Sequence, residues 1–414
     1  VVVARDGRIS SKQLIDSLSE GLKSSGCDVI DIGQVPTPVL YYATHKLETG
    51  AGVMVTGSHN PPEYNGLKMV MDGKTLYGGE IQAIYQCIIN NEVKTATGSI
   101  KQQDLLDSYI SRICEDVKLA RPLRIGIDCG NGVAGPAALT LFKQLGCELF
   151  DLYCDVDGNF PNHHPNPSDP KNLQDLITCV HEYKLHLGLA FDGDGDRVGV
   201  IDDKGEVLWA DRQMMLYSRD VLSRKPGAKI IFDVKSSRNL ATVIEEAGGE
   251  AIMWKTGHSF IKNKMAETGA ELAGEMSGHI FFKERWYGFD DALYSAARLL
   301  EILADQELSS SELFASLPNS ISTPEINVHF KEDGAQHAFM QKFANIVDLP
   351  DAKITTIDGI RADYKNGWGL VRASNTTPSL VIRFEADSES VIEKIKNDFR
   401  KQMSKTDSDL KLPF

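Results

Sequence analysis

One unit occurs three times along the chain, and that repeat limits the possible fold more than any other feature. The first copy runs from Val1-Val2-Val3 through the polar turn Asp6-Gly7-Arg8 into a helical stretch carrying Leu14, Leu18 and Leu22, then Gly26-Cys27 and the strand-like Val29-Ile30-Asp31-Ile32. The second runs from Leu123 to Ile127 through Asp128, Gly130 and Asn131-Gly132, a helix around Leu139 to Leu145, Gly146-Cys147, then Leu149-Phe150. The third runs from Lys229 to Phe232 through Asp233, a helix around Leu240 to Ile244, Gly248-Gly249, then Ala251-Ile252-Met253. Apolar runs without alternation fit strands covered on both faces, as in parallel sheets, and the glycine after each helix fits a left-handed cap. The pattern predicts three related α/β sandwich domains. In each, the turn after the first strand faces the carboxyl edge of the sheet, where α/β proteins place ligands.

Past residue 320 the pattern changes. Ile326 to Phe330 alternates like a half-buried strand; a helical segment, three further strand-like runs and a last helix from about Ser388 to Met403 follow. This predicts a small C-terminal α+β domain, with Ser322-Thr323-Pro324 as its hinge; an extension of the third domain is the alternative. The expected limits are 1–103, 104–206, 207–320 and 321–414. The first domain is expected to be truncated at its N-terminus, because the chain opens without Met inside a strand-like run.

A net charge of −14 disfavours nucleic acid and anionic membranes as partners, and no apolar run is long enough for a spanning helix. The 7 cysteines form no Cys-x-x-Cys pair, which favours reduced thiols in a cytoplasmic protein over a zinc site or a disulfide framework.

Two loops carry chemistry most clearly. In Val53 to Pro62 an apolar strand ends in Thr56-Gly57-Ser58-His59-Asn60, stiffened by Pro61-Pro62. Ser58 there suits a nucleophile or phosphate carrier and His59 a proton-transfer group, and a plain turn is the competing reading. In Leu189 to Val200, Asp192, Asp194 and Asp196 alternate with glycines before Arg197. Three crowded carboxylates repel one another unless a cation lies between them, and oxygen ligands select Mg²⁺, Mn²⁺ or Ca²⁺. An EF-hand would need Gly where Arg197 stands and helices where the flanks read as strands. An aspartyl phosphatase of the haloacid-dehalogenase type would put Thr or Val where Asp196 stands. Weaker candidates are Gly274-Glu275-Met276-Ser277-Gly278-His279, suited to sugar hydroxyls, and Arg372-Ala373-Ser374-Asn375-Thr376-Thr377, suited to a phosphate dianion. Lys68, Lys235 and Lys255-Thr256-Gly257-His258 are single basic groups in loops.

In this order, the four loops resemble those of the α-D-phosphohexomutase family, over the entire chain. Asp155 to Pro165 also resembles that family. The resemblance implies four domains around a central cleft and a phosphorylated Ser58. It implies Mg²⁺ held by Asp192, Asp194, Asp196 and a phosphoserine oxygen, with Lys68 and His59 beside the transferring group. It further implies sugar contacts from Arg197, Glu275 and Ser277, and a phosphate site at Arg372, Ser374, Asn375 and Thr376. Lys235, His258 and His279 would grip the substrate. The implied reaction interconverts hexose 1- and 6-phosphates through a 1,6-bisphosphate, in a monomer acting on small molecules. Met276, where phosphoglucosamine mutases usually carry Gln, favours glucose and mannose. A hexose-phosphate phosphatase and a non-catalytic sugar-phosphate binder are the rival functions. The family's Asp-Ile-Arg-Gly-like segment has no counterpart here.

Overall fold

Val2, Val3 and Ala4 are fully buried, as are Ile125 and Ile127 in the second repeat and Ile230 and Ile231 in the third. Strands with no exposed face must be covered on both sides. In the computed structural model, which describes residues 1–414, they are the central strands Val2–Arg5, Arg124–Asp128 and Lys229–Asp233. Each pairs in parallel with two neighbours: Val29–Gln34 and Gly52–Val55, then Glu148–Leu152 and Leu187–Phe191, then Glu250–Trp254 and Leu272–Gly274. The third strand then turns back as an antiparallel hairpin with Leu67–Met71, Val198–Asp202 or Ile280–Phe282. Each sheet is therefore mixed, with the same second-first-third-fourth order in all three repeats. The helix after each first strand ends at the expected glycine: Gly26 at φ +90°, Gly146 at +90° and Gly248 at +81°, backbone that an L side chain rarely adopts.

The last domain is an antiparallel sheet with helices Ala335–Ile346 and Glu389–Thr406. Its core of 15 buried side chains is separate from the 62-residue cluster that runs unbroken through the first three domains. Apart from the small cluster of Val234, Trp368 and Leu370, its junction with the third domain includes many polar contacts. Arg361 donates to the carbonyls of Val234 (2.7 Å) and Ser236 (2.9 Å), and Arg383 pairs with Asp211 at 3.2 Å. Polar junctions of this kind permit one domain to move against another. The expected hinge is displaced: Ile321–Ser322 pairs with the strand Ser379–Ala386, and Thr323 N–H donates to Phe384 O at 2.9 Å. Those ladder bonds tie Ser322 and Thr323 to the last sheet, so they are not a free linker. No helix is long and apolar enough to cross a membrane.

Candidate active site

The three hairpins that close the three sheets carry the loops singled out in the sequence. Ser58 lies between Gly52–Val55 and Leu67–Met71, the triple-Asp loop between Leu187–Phe191 and Val198–Asp202, and Glu275 to His279 between Leu272–Gly274 and Ile280–Phe282. One topological position thus supplies one functional loop per repeat. The strands flanking the triple-Asp loop exclude the helix-loop-helix of an EF-hand.

The Ser58 loop is held by a buried arginine. The Arg8 guanidinium donates to the carbonyls of Ser58 (2.7 Å), Asn60 (2.6 Å), Pro61 (2.5 Å) and Tyr64 (3.1 Å), and its Nε pairs with Asp6 at 3.2 Å. Asp6 also accepts from Gly57 N–H at 3.1 Å. A side chain on Gly57 would meet Arg8 Nε at 2.5 Å, so only glycine lets the clamp close. Ser58 itself sits at φ +49°, a strained setting for a residue with a Cβ, which this many contacts can impose.

Ser58 Oγ donates to Asp192 Oδ2 at 2.9 Å and accepts from Arg197 Nη2 at 3.0 Å; His59 Nδ1 is 3.3 Å away and also contacts Arg197. Arg197 Nε reaches Asp192 at 3.1 Å, while Lys68 Nζ lies 2.7 Å from Asp194 and also contacts Asp196. Thr37, at the start of helix Thr37–Lys46, donates its hydroxyl to Asp194 Oδ2 and its N–H to Asp194 O. The three carboxylates are fully buried, with oxygens within 4.8 Å of one another, and Asp194 Oδ1 and Asp196 Oδ1 have no hydrogen-bond partner. Orphaned buried carboxylate oxygens are costly, and a hard divalent cation satisfies them, so the all-oxygen set fits Mg²⁺.

Electrostatics follow from this crowding. Burial and the charges of Asp196 and Asp194 push Asp192 up to about 7. Burial pulls Asp194 the same way, but Lys68 and the hydroxyl of Thr37 outweigh it and hold Asp194 low. For Lys68, burial is outweighed by Asp194 and Asp196, which keep the ammonium charged. Arg197 first, then burial, hold His59 far below the usual imidazole range.

On the other side of the cleft, Glu275 accepts from Gly257 N–H, and its buried carboxyl is raised, chiefly by desolvation. His279 Nδ1 lies 3.6 Å from Asp196 Oδ1 and 3.2 Å from Asp290 Oδ2. Lys235 pairs with Glu325 at 2.6 Å. Arg372 Nε donates to Asp358 at 2.9 Å, which leaves its two terminal nitrogens for a ligand. Asp358 also accepts from Thr256 N–H at 3.0 Å, so the last domain's arginine is tied to the loop that carries His258.

Comparison with known proteins agrees with this geometry. The chain matches the phosphoglucomutase/phosphomannomutase family models throughout: alpha/beta/alpha domain I at residues 1–95, domain II at 107–205, domain III at 209–321 and the C-terminal domain at 325–402. It belongs to the α-D-phosphohexomutase family. A phosphomannomutase/phosphoglucomutase of Pseudomonas putida is 55% identical over 414 residues, covering 100% of this chain and 89% of that one. A phosphoglucomutase of Neisseria gonorrhoeae is 52% identical over 403 residues, covering 97% of this chain and 87% of that one. The crystal structure of a phosphoglucomutase/phosphomannomutase family protein from Burkholderia thailandensis superposes with a TM-score of 0.94 at 51% identity, covering 100% of this chain and 90% of that one.

Within this phosphohexomutase, Ser58, His59, Lys68, Asp192, Asp194, Asp196, Arg197, His258 and His279 lie in one connected polar group. Glu275 joins it through Gly257, next to His258. Lys235, 4.0 Å from Asp233, connects to Arg372 through Thr256, whose hydroxyl donates to Asp233 and whose N–H donates to Asp358. Ser374 Oγ organises its own loop, accepting from Thr376 N–H at 3.3 Å and Thr377 N–H at 3.2 Å. Asn375 and Thr376 are exposed, and Ser277 engages only through its carbonyl, which accepts from Ser168 Oγ at 3.1 Å. Sequence reasoning missed Arg8, Thr37, Lys262 and Asp290 as parts of the site. For Arg8 a signal existed, since the polar turn after each first strand stood out. The repeat's equivalent acids, Asp6 and Asp233, brace these hairpins, through Gly57 N–H at 3.1 Å and Met276 N–H at 3.3 Å.

Proposed function

We propose that this chain interconverts hexose 1-phosphates and hexose 6-phosphates of mannose and glucose through a phosphoserine at Ser58 and a hexose 1,6-bisphosphate. The observation that carries the reading is Ser58 Oγ, 2.9 Å from Asp192 Oδ2, on a strained and clamped loop beside three buried carboxylates and the Lys68 ammonium. A serine so placed can carry a phosphoryl group that must be both charge-neutralised and handed on.

In the proposed cycle a free sugar hydroxyl attacks the phosphorus of phosphoserine 58. The new O–P bond forms as the Oγ–P bond breaks, and over the step the hydroxyl's proton ends on the released Ser58 Oγ, with His59, 3.3 Å away, as the proton-transfer group. The bisphosphate turns end for end, and Ser58 Oγ takes back the other phosphoryl group. The transition state is loose, so positioning and charge neutralisation dominate. Mg²⁺, held by Asp192, Asp194, Asp196 and a phosphoserine oxygen, would draw charge from the transferring oxygens. Lys68 offsets the remaining charge, and Arg197, Glu275, Ser277 and His279 orient the sugar. Lys235 and His258 help grip the substrate, and Arg372, Ser374, Asn375 and Thr376 hold the phosphate that is not reacting. Because either end of the sugar must fit there, a loop with exposed, adaptable Asn375 and Thr376 suits the task. The domain limits 1–103, 104–206, 207–320 and 321–414, a monomeric state and a cytoplasmic place belong to this proposal.

Turnover of glucose 1-phosphate and mannose 1-phosphate side by side, with and without a hexose 1,6-bisphosphate, tests it. Both should convert, faster with the bisphosphate, and Ser58→Ala should convert neither while its circular dichroism is unchanged. Release of inorganic phosphate in place of isomer would make the chain a phosphatase.

A further inference from the structure

Asp290 is fully buried and meets three side chains. Its Oδ1 accepts from Lys262 Nζ at 2.8 Å, and its Oδ2 lies 3.4 Å from His258 Nδ1 and 3.2 Å from His279 Nδ1. The two imidazoles are stacked, with centroids 5.6 Å apart and planes 17° from parallel. Both Nδ1 atoms and Asp290 Oδ2 are buried and make no hydrogen bond at these distances, and the charged acceptor facing His258 Nδ1 is Asp290; the His258 side chain as a whole is 26% exposed.

We propose that Asp290 is a positioning residue that fixes the ring proton of His258 on Nδ1 and so leaves Nε2 as a bare acceptor toward the cleft, where it receives a hydrogen bond from a sugar hydroxyl. The inference rests on the cleft being the sugar site. A carboxylate only accepts, so a neutral imidazole facing it must present N–H there and a lone pair at its other nitrogen. Burial and the nearby Lys262 ammonium hold His258 down to about 4, so the ring is neutral near pH 7.5 and its tautomer is well defined. The groups that face Asp290 are Lys262, His258 and His279; Tyr41 lies behind Lys262, its hydroxyl accepting from Nζ at 3.1 Å. Asp196, His279 and Asp290 also bring ligand atoms within 4.8 Å of one another, but the Lys262 ammonium already supplies positive charge to Asp290.

Lys262 makes the test sharp. An ammonium has donors only, so in Asp290→Asn it keeps the amide oxygen on its own side and turns the amide NH₂ toward the imidazoles. His258 Nδ1 must then accept, and its proton moves to Nε2. Long-range ¹H–¹⁵N spectra of histidine-labelled protein at pH 7.5, with His258→Gln for assignment, read the tautomer directly. The wild type should show His258 protonated on Nδ1, and Asp290→Asn should show it protonated on Nε2. The variant should also lose about tenfold in kcat/KM for glucose 1-phosphate, the size expected for one hydrogen bond lost at a neutral partner. Removing the pin in Lys262→Met/Asp290→Asn frees the amide to rotate and should return the proton to Nδ1. Protonation on Nε2 in the wild type, an unchanged tautomer in Asp290→Asn, or wild-type kcat/KM in that variant overturns the proposal. Should Asp290→Asn fail to fold, the wild-type spectrum alone decides. The tautomer is read in the protein without substrate, so absence of mutase turnover in the wild type would strike the proposed function and leave this measurement standing.

Discussion

Replacing Arg8 by Met tests whether the Ser58 loop works because it is clamped. The guanidinium side chain is fully buried and serves the carbonyls of Ser58, Asn60, Pro61 and Tyr64 together with the carboxylate of Asp6. Methionine fills much of the same volume but leaves Asp6 without its cation and the carbonyls without a donor. Breaking a buried ion pair costs roughly 3–5 kcal/mol. Asp6 keeps Gly57 N–H and the hydroxyl of Ser11, so part of that cost is offset. We assign ~2 kcal/mol to lost order of the loop, which at about 1.4 kcal/mol per factor of ten lowers kcat about thirtyfold. The sugar and phosphate contacts proposed above lie on other loops, so KM for glucose 1-phosphate should stay within about threefold. Steady-state conversion of glucose 1-phosphate to glucose 6-phosphate measures both constants, and limited proteolysis between Gly57 and Gly66 reports the loop. A kcat within threefold of wild type, or a change confined to KM, would refute the clamp.

Further outcomes follow from the same geometry. Asp194→Asn removes a buried cation ligand and a partner of Lys68, so Mg²⁺ affinity by calorimetric titration should weaken by at least about tenfold, with slower turnover; an unchanged Mg²⁺ dependence counts against the site. His163 donates to Asp128 at 2.9 Å, and although burial opposes it, this bond raises the His163 pKa above its ordinary value. A raised folded-state value means stability present below the unfolded pKa of about 6.5 and lost as pH rises through the folded one. The denaturant stability gap between wild type and His163→Gln should therefore be widest below about pH 6.5 and close in alkali, and a gap that widens with pH has the wrong sign. Arg372→Lys keeps a charge but loses the fork that Asp358 orients, so KM should rise about tenfold with kcat little changed, read from the same steady-state assay.

The repeat was legible because its signals are local. Unbroken apolar runs such as Ile230-Ile231-Phe232 and the glycine stops at Gly26, Gly146 and Gly248 appear within single elements, and the structure builds a central strand and a left-handed cap from them. The Ser58 and triple-Asp loops were legible for the same reason, since each concentrates its chemistry within a few residues. The equivalence of the three hairpins was not, because Leu272–Gly274 and Ile280–Phe282 have 3 residues each, too short to show a period. Arg8 is 53 residues from Pro61, and Thr37 is 157 from Asp194. Contacts at such separations leave no spacing pattern in a single chain. Asp290 was hidden by chemistry instead: two adjacent aspartates carry no sign of burial in a sequence, yet both side chains are buried, Asp290 on Lys262 and Asp291 under Tyr109 and Trp286. The hinge was misplaced because Thr323-Pro324 reads as a linker, while the ladder that claims it comes from a strand some 60 residues later.

The central claim is that Ser58 carries the phosphoryl group. Intact-mass and peptide mapping of the protein after incubation with glucose 1,6-bisphosphate and Mg²⁺ tests it most directly. One added phosphoryl mass should appear on the peptide containing Ser58, vanish on chase with excess glucose 1-phosphate, and be absent from Ser58→Ala. An active enzyme that never shows the adduct, or that carries it on another residue, would contradict the account.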